Sequence, residues 1–267
     1  MSFQWCKKLI QYGRYRTINK KNIIVFASKD VGLECLEYLI SMKAPIYQII
    51  AAKEEDTRIV DCARMNRINY DLYNKSSQPG IVKEGKMYDW LLNLWSPHIL
   101  EDDFLNMFRH RLNTHPTLVP YCRGNDGTAW TIRNQFPAGV SLIEIVKEVD
   151  AGDIYSQKIV GYNPIVTKGK ELQELLKKEL VELFKRDWIK IYTNKIKTTP
   201  QTGRVYTYKR VDTERDRKRK STEDLGDLGT VIRWINGHDF SPNTTTEVLF
   251  NEECYKITIQ IEKKGME

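Results

Sequence analysis

The chain has 267 residues, with 42 Lys plus Arg against 35 Asp plus Glu and a formal net charge of +7. A chain of this length can bury a core without help from metals or disulfides. The five cysteines form no CxxC pair and have no histidine at metal-ligand spacing, which argues against a zinc site and indicates a reduced compartment. No apolar run reaches the roughly 18 residues that span a bilayer. We therefore expect a soluble, cytoplasmic protein that binds no metal and no membrane.

The positive charge is concentrated in one segment. Residues 209–220 (KRVDTERDRKRK) contain seven basic and three acidic side chains, so +4 of the +7 lies there. Such a run is typical of a solvated linker or an exposed helix. A surface that binds nucleic acid or phosphate is the alternative, and charge alone does not decide between them.

The first half of the chain alternates strand and helix patterns. Strand, helix, strand in this order implies a parallel sheet and an α/β fold. Asp30 can cap the first helix, and the single Gly32 does not make a dinucleotide-binding loop. The predicted elements are a buried strand at Asn22–Ala27, a helix that follows Asp30, a strand at Ile46–Ala52, a helix at Asp56–Asn66 and a strand at Asp89–Leu94.

The loop after this last strand is a candidate cofactor pocket. Ser96 precedes a proline and is pushed away from helical geometry, so the strand pattern stops there. Loops at the carboxyl ends of parallel strands are where such sheets bind ligands. A plain connection is the alternative. The candidate residues are Leu94, Trp95, Ser96, Pro97 and Ile99.

The second half reads as helix, hairpin and long helix. Asp126 can cap a helix at Gly127–Phe136. The strands Val140–Ile145 and Tyr155–Val160 alternate in hydropathy, and the hairpin that they predict carries Asp150 at its tip. A helix at Glu171–Ile191 closes the predicted core.

Composition shifts after Thr198, which places a domain boundary near residue 200. The predicted organisation is an N-terminal extension (1–20), a core (21–199) and a small C-terminal α+β module behind the basic run (200–267). The module contains a helix at Thr230–Asn236 and strands at Thr246–Phe250 and Tyr255–Ile261. An exposed edge strand there would offer a homodimer contact, and a lid on the core is the alternative.

Three polar residues form a candidate catalytic set. Asn113 and His115 are two positions apart at a strand end, so their side chains point the same way. A carboxylate such as Asp150 can orient the imidazole, and an amide can donate to a developing oxyanion. No serine or cysteine lies in an elbow motif, so the set favours direct acyl transfer to an amine. The alternative is a structural histidine and an ordinary turn asparagine.

Three motifs carry a resemblance to a known family. They are N-x-H-P-x-L-x-P-x-x-R-G from Asn113 to Gly124, G-V-S-L from Gly139, and V-D-A-G-D-I from Val149. In order and spacing they resemble the 10-formyltetrahydrofolate-dependent formyltransferases, over roughly residues 22 to 195. The resemblance implies a Rossmann-like, mostly parallel sheet, with 10-formyltetrahydrofolate as the formyl donor. It also implies that His115 removes the amine proton, Asn113 steadies the oxyanion, and Asp150 sets the state of His115 and binds near the folate.

The acceptor amine is a separate expectation. The short tail and RGNDGTAW from Arg123 look most like enzymes that formylate nucleotide-linked dideoxy amino sugars such as dTDP-4-amino-4,6-dideoxyglucose. Methionyl-tRNA formyltransferase is one alternative, and a basic nucleic-acid-binding protein with an inactive transferase core is another. The nucleotide and the position of the amine stay open. The substrate-binding candidates are Thr117, Arg123, Gly124, Asn125 and Trp130.

Overall fold

The computed structural model describes residues 22–73, 86–219, 226–250 and 253–262. The predicted N-terminal extension lies outside these residues. The chain divides into two compact units, one up to Leu112 and one from Asn113 onward. None of the described helices is both long and apolar enough to cross a membrane.

Parallel strands form the centre of the first unit. The strand order there is β3-β2-β1-β4, and β1 pairs in parallel with β2 and with β4. All five residues of β1 are buried, as expected for a strand that is covered on both faces. The elements are β1 Ile23–Ala27, α1 Lys29–Ser41, β2 Ile46–Ala51, α2 Thr57–Met65, β3 Asn69–Leu72, β4 Tyr88–Leu94 and α3 Asp102–Leu105.

The cap predicted for the first helix is wrong. Helix α1 begins at Lys29, and the buried Asp56, just before α2, accepts hydrogen bonds from the Lys29 backbone N–H at 2.9 Å and the Ser28 hydroxyl at 2.8 Å. Asp30 instead forms an exposed ion pair with Arg58 at 2.6 Å. A carboxylate 27 positions away satisfies the helix start, and local spacing does not reveal such a partner.

Antiparallel pairing and a long helix organise the second unit. Strand β5 (Phe108–His115) pairs there through its last three residues with β7 (Ala138–Ile143), and β7 pairs with β8 (Ile154–Val160). Helix α5 (Gly169–Tyr192) buries Leu172, Leu176, Leu180 and Trp188. Asp126 precedes α4 (Gly127–Arg133) without a capping hydrogen bond from its side chain, contrary to the prediction.

Most of the basic run forms a helix. Helix α6 spans Arg210–Arg217 and is followed by β10 (Lys218–Arg219), which pairs with β11 (Thr246–Phe250). Strand β11 pairs antiparallel with β12, which spans Glu253–Ile257 and ends before the predicted Ile261. The remaining elements are β6 Arg123–Gly124, β9 Thr207–Tyr208 and α7 Leu228–Gly237.

The predicted fold class is confirmed. Among the described residues the chain is a mixed α/β protein whose main sheet has seven strands, and the strands β3, β2, β1 and β4 pair in parallel. The predicted domain boundary near residue 200 stays a prediction.

Candidate active site

The side chains of Asn113 and His115 converge on one carboxylate. Asn113 Nδ2 lies 3.2 Å from Asp150 Oδ1, and His115 Nδ1 lies 3.4 Å from the same oxygen. Both side chains are nearly buried, with 7% of His115 and 11% of Asp150 exposed. The structure therefore brings the three predicted catalytic residues together, although their roles stay predictions.

The backbone around Asp150 accounts for this convergence. Asp150 lies in the connection between β7 and β8 and has a left-handed φ of 53°, a conformation that is uncommon for non-glycine residues. Its second oxygen, Oδ2, accepts a hydrogen bond from the Gly124 backbone N–H at 2.9 Å. The carboxylate is thus held by partners from two separate segments.

Gly124 has to be a glycine at this position. Its φ is 86°, and a Cβ atom there would lie 2.3 Å from the Tyr208 carbonyl oxygen. Only glycine tolerates both the left-handed backbone and the close approach. A glycine at the end of the motif from Asn113 to Gly124 therefore lets the backbone adopt the conformation in which the Gly124 N–H reaches Asp150.

His115 has an oxygen next to each ring nitrogen. Nε2 lies 3.3 Å from the Cys122 carbonyl oxygen, and Nδ1 faces Asp150. A carbonyl oxygen only accepts hydrogen bonds, so the contact with Cys122 needs a proton on Nε2. In the tautomer with the proton on Nδ1, the ring faces Asp150 with its N–H, and Nε2 has a lone pair that can accept a proton. A carboxylate-oriented imidazole of this kind is suited to general base catalysis.

Cys122 does not provide a nucleophile. Burial raises the pKa of the Cys122 thiol to about 12, although a hydrogen bond with Thr131 opposes the rise. The sulfur lies 3.6 Å from Thr131 Oγ1, and the residue contacts His115 through its carbonyl oxygen. Because the thiolate is the reactive form, this cysteine is chemically inert at neutral pH.

Two predicted substrate residues have structural partners. Thr117 is buried, and its hydroxyl donates to the carbonyls of Tyr121 and Cys122 at 3.1 and 3.2 Å. The Trp130 ring stacks on Tyr208 with centroids 4.2 Å apart, and its Nε1 donates to Thr213 at 3.0 Å. Thr117 and His115 thus both contact the Cys122 carbonyl, and contact of Thr117 or Trp130 with a substrate stays a prediction.

Arg123 and Asn125 lie on either side of Gly124. The Arg123 guanidinium donates through Nε and Nη2 to Gln201 Oε1, at 3.1 and 2.7 Å. Burial lowers the pKa of Arg123, and the charge of Asp150 opposes this shift. The Asn125 residue is exposed, and its backbone N–H donates to the Tyr208 carbonyl at 2.9 Å.

The predicted cofactor loop belongs to the first unit. Leu94 is buried at the end of β4, and Trp95 has a φ of 69° that turns the chain. Asn93 closes the turn by accepting the Ser96 N–H at 2.8 Å and donating to the Ser96 carbonyl at 3.2 Å. Ile99 is 66% exposed. The assignment of Leu94, Trp95, Ser96, Pro97 and Ile99 to the cofactor stays a prediction.

Sequence reasoning missed Gln201. Its amide contacts Arg123 and also donates to the carbonyls of Asp150 and Gly152, at 2.8 and 2.7 Å. A single glutamine after a proline carries no pattern, and its partners lie between 49 and 78 positions away in the chain. Only the folded arrangement reveals it.

Comparison with protein families gives a match over most of the chain. The formyl transferase family model matches residues 2–186. The curated relatives are methionyl-tRNA formyltransferases, and that of Mycoplasma pneumoniae is 39% identical over 67 residues, 24% of this chain and 22% of that protein. The chain spans between 21% and 49% of the length of the first three such relatives.

Solved structures share the fold at low sequence identity. A 4-N formyltransferase from Francisella tularensis is 18% identical with a TM-score of 0.78, and the match covers 92% of this chain and 100% of that one. An N-formyltransferase from Helicobacter canadensis, in complex with folinic acid and dTDP-3-aminofucose, is 17% identical with a TM-score of 0.66, covering 81% and 80%. At such identities these likenesses establish the fold.

Proposed function

Because this chain belongs to the formyl transferase family, we propose that it moves a formyl group from 10-formyltetrahydrofolate to the amino group of a nucleotide-linked dideoxy amino sugar. dTDP-4-amino-4,6-dideoxyglucose is the acceptor that we would try first. The observation that carries the proposal is the convergence of Asn113 and His115 on the Asp150 carboxylate. This set can activate an amine and stabilise an oxyanion without a covalent enzyme intermediate.

Each member of the trio has a role that its contacts allow. When the proton of the neutral His115 ring is on Nδ1, facing the Asp150 carboxylate, Nε2 is left to take the proton of the attacking amine. The Asn113 amide donates one N–H to Asp150. Its second N–H can donate to the formyl carbonyl oxygen, which gains negative charge during the attack. The amine attacks directly because the neighbouring thiol, Cys122, stays protonated.

The loop after β4 has features that suit the formyl donor. When bound, 10-formyltetrahydrofolate supplies an activated formyl carbonyl. The Asn93–Ser96 hydrogen bonds fix the turn, and the exposed Ile99 gives it an apolar surface on which a flat ring can pack. We propose that Leu94, Trp95, Ser96, Pro97 and Ile99 hold the donor.

An amino-sugar acceptor is supported by two of the solved relatives. The Francisella structure is matched over its whole length and is described as a 4-N formyltransferase, and the Helicobacter enzyme was solved with dTDP-3-aminofucose.

One arginine of the basic run has its partners within the protein. Arg217 is buried and donates to Glu214, Glu247 and the Thr245 carbonyl, at 2.8, 2.6 and 2.9 Å. This arginine is therefore committed to the fold.

Methionyl-tRNA is the second candidate acceptor. The curated relatives favour it, and the exposed residues of α6, including Arg210 with 72% of its side chain accessible, could contact phosphates. Formylation of methionyl-tRNA, with binding that weakens steeply as salt rises, would support this reading. Nucleic-acid binding without any formyl transfer would support an inactive core. A homodimer and a cytoplasmic location remain proposals.

A screen of acceptors tests the proposed function. The protein is incubated with 10-formyltetrahydrofolate and, in turn, with dTDP-, UDP- and GDP-linked amino sugars and with methionyl-tRNA, and the products are weighed by mass spectrometry. We expect an amino-sugar nucleotide that is heavier by one formyl group, and no product from His115→Asn. If methionyl-tRNA is the only acceptor that is formylated, the amino-sugar proposal is wrong and the second candidate is supported. If no acceptor is formylated, the proposed formyltransferase activity is overturned.

A further inference from the structure

The side-chain amide of Gln201 joins two segments of the candidate site. Its Oε1 accepts two hydrogen bonds from the Arg123 guanidinium, at 3.1 and 2.7 Å. Its Nε2 donates to the Asp150 carbonyl at 2.8 Å and to the Gly152 carbonyl at 2.7 Å. Both N–H groups and the carbonyl oxygen of the amide are therefore engaged.

The segment that carries Gln201 is itself anchored on both sides. Before it, Thr199 exchanges two backbone hydrogen bonds with Ile154, at 2.8 and 2.9 Å. After it, β9 pairs in parallel with β6, which holds Arg123 and Gly124. Gln201 thus has a fixed position from which to hold the loop between β7 and β8.

The loop between β7 and β8 has a conformation that contacts from other segments have to stabilise. Asp150 has a left-handed φ of 53°, a conformation that costs free energy in a residue with a side chain. A Cβ atom at Gly152 would lie 2.0 Å from the Glu144 carbonyl oxygen, so the loop folds back tightly on itself. The two hydrogen bonds from Gln201 Nε2 flank this strained turn, and they compensate for its cost.

Resting on the function proposed above, we propose that Gln201 is a positioning residue for formyl transfer. It binds the backbone of the loop that presents Asp150 and the strand whose Gly124 N–H fixes the Asp150 carboxylate. It thereby sets the orientation in which Asp150 meets His115. Gln201 touches neither His115 nor, in this assignment, the reacting amine.

The substitution Gln201→Glu separates this role from anchoring of Arg123. A glutamate keeps an oxygen for the guanidinium, but it loses both donors and faces two carbonyl oxygens instead. We expect kcat to fall about tenfold to a hundredfold, as small misplacements in a catalytic geometry do, while KM for both substrates changes less than about twofold. Gln201→Met removes all four hydrogen bonds at similar length and should lower kcat at least as far.

A spectroscopic readout tests the inference without relying on activity. In protein made with isotope-labelled histidine, the ring-nitrogen signals of His115 are identified by their loss in His115→Asn. We expect Gln201→Glu and Asp150→Asn to shift these signals, whereas those of His238, which pairs with Asp216, stay in place. Spectra are recorded below the unfolding transition of each variant, so that loss of the fold is not mistaken for the effect.

Asn66→Asp is the matched control. Asn66 Nδ2 also donates to a backbone carbonyl, that of Cys62 at 2.8 Å, and the exchange adds the same charge in the first unit. It should leave kcat and the His115 signals unchanged. Unaltered His115 signals in both Gln201 variants, or a Gln201→Glu enzyme with wild-type kcat, would overturn the inference. If the wild-type protein formylates nothing, the proposed function fails, and the spectra still decide whether Gln201 positions Asp150.

Discussion

Two buried histidine–carboxylate pairs lie in the second unit, and they differ in what surrounds them. His238 Nε2 lies 2.9 Å from Asp216 Oδ2, closer than the 3.4 Å between His115 Nδ1 and Asp150 Oδ1. Asp216 Oδ2 also accepts from Arg133 Nε at 3.3 Å, and its carbonyl accepts from Trp234 at 2.6 Å. This pair therefore joins residues of three helices, α4, α6 and α7.

The pair with the longer distance, His115 and Asp150, is the one that we propose as catalytic. Asp150 sits on a loop in a left-handed conformation, next to an amide that has a spare N–H, and Gly124 and Gln201 hold it from outside. The tighter pair is already neutralised by Arg133 and packed between helices. If the His115–Asp150 pair is catalytic, as proposed, an adjacent amide donor distinguishes it better than a short histidine–carboxylate distance does.

The largest expected effect comes from a substitution that breaks the His115–Asp150 pair. Asp150→Asn should lower kcat about a thousandfold, within the range for loss of general acid–base catalysis, because an amide cannot hold the same His115 tautomer. Steady-state kinetics measure the change. Circular dichroism should show a folded protein, since the asparagine can still accept from the Gly124 N–H. Wild-type kinetics in this variant would remove Asp150 from the mechanism.

Breaking the second pair should affect stability instead. Asp216→Asn leaves the 15%-exposed Arg133 side chain without its buried counter-ion and should lower the free energy of unfolding by about 3 kcal/mol. Urea unfolding measures the loss. The kcat of the folded fraction should stay within about threefold of wild type, equivalent to less than 1 kcal/mol. A large drop in kcat without destabilisation would mean that the two pairs had been assigned the wrong roles.

A third carboxylate, that of Asp187, should contribute to stability in a way that depends on pH. Burial opposes ionisation of Asp187, but hydrogen bonds from Arg186, Ser156 and Lys190 outweigh it and lower its pKa to about 2. A depressed pKa contributes stability that is present above the unfolded value of 3.8 and disappears as pH falls towards 2. Asp187→Asn should cost about 1 to 2 kcal/mol near neutral pH, after allowance for solvent screening.

The pH series is the decisive part of this experiment. The difference in unfolding free energy between wild type and Asp187→Asn should narrow as pH falls from 5 to 2. Unfolding at several pH values measures it. A difference that is constant over the whole range would show that the ionised form of Asp187 has no special stabilisation in the fold.

The smallest expected effect concerns the cysteines. Cys122 is buried with its pKa raised to about 12, whereas Cys254 is exposed. Brief alkylation of the native protein should label Cys254, leave Cys122 unmodified and preserve activity. Peptide mass spectrometry locates the label. Rapid modification of Cys122 with loss of activity would reopen a nucleophilic mechanism.

Regular patterns in the sequence predicted much of the fold. The buried run at Asn22–Ala27 and the periodicity of Glu171–Ile191 correspond to β1 and α5 within two residues at each end. Strand β3 was missed because Asn69–Leu72 has only four residues, all of them exposed, so no buried apolar run marks it in the sequence. The helix in the basic run was one of two alternatives, since its buried Asp216 and Arg217 look like surface charges in the sequence.

The site could be predicted only in part. A two-residue spacing placed Asn113 and His115 on one side of a strand, and the hairpin pattern exposed Asp150. The partners that fix Asp150 could not be inferred in this way. Gln201 and the Gly124 N–H reach it across 51 and 26 positions of the chain, and neither contact follows from any local period.

The most direct test of the account follows the formyl group itself. The donor is prepared with an isotope-labelled formyl carbon, mixed with an amino-sugar nucleotide and with wild-type, Asp216→Asn or His115→Asn protein, and the acceptor is analysed by mass spectrometry. We predict label on the acceptor amine with wild type and with folded Asp216→Asn, and none above background with His115→Asn. Label transferred by His115→Asn at the wild-type rate would contradict the account.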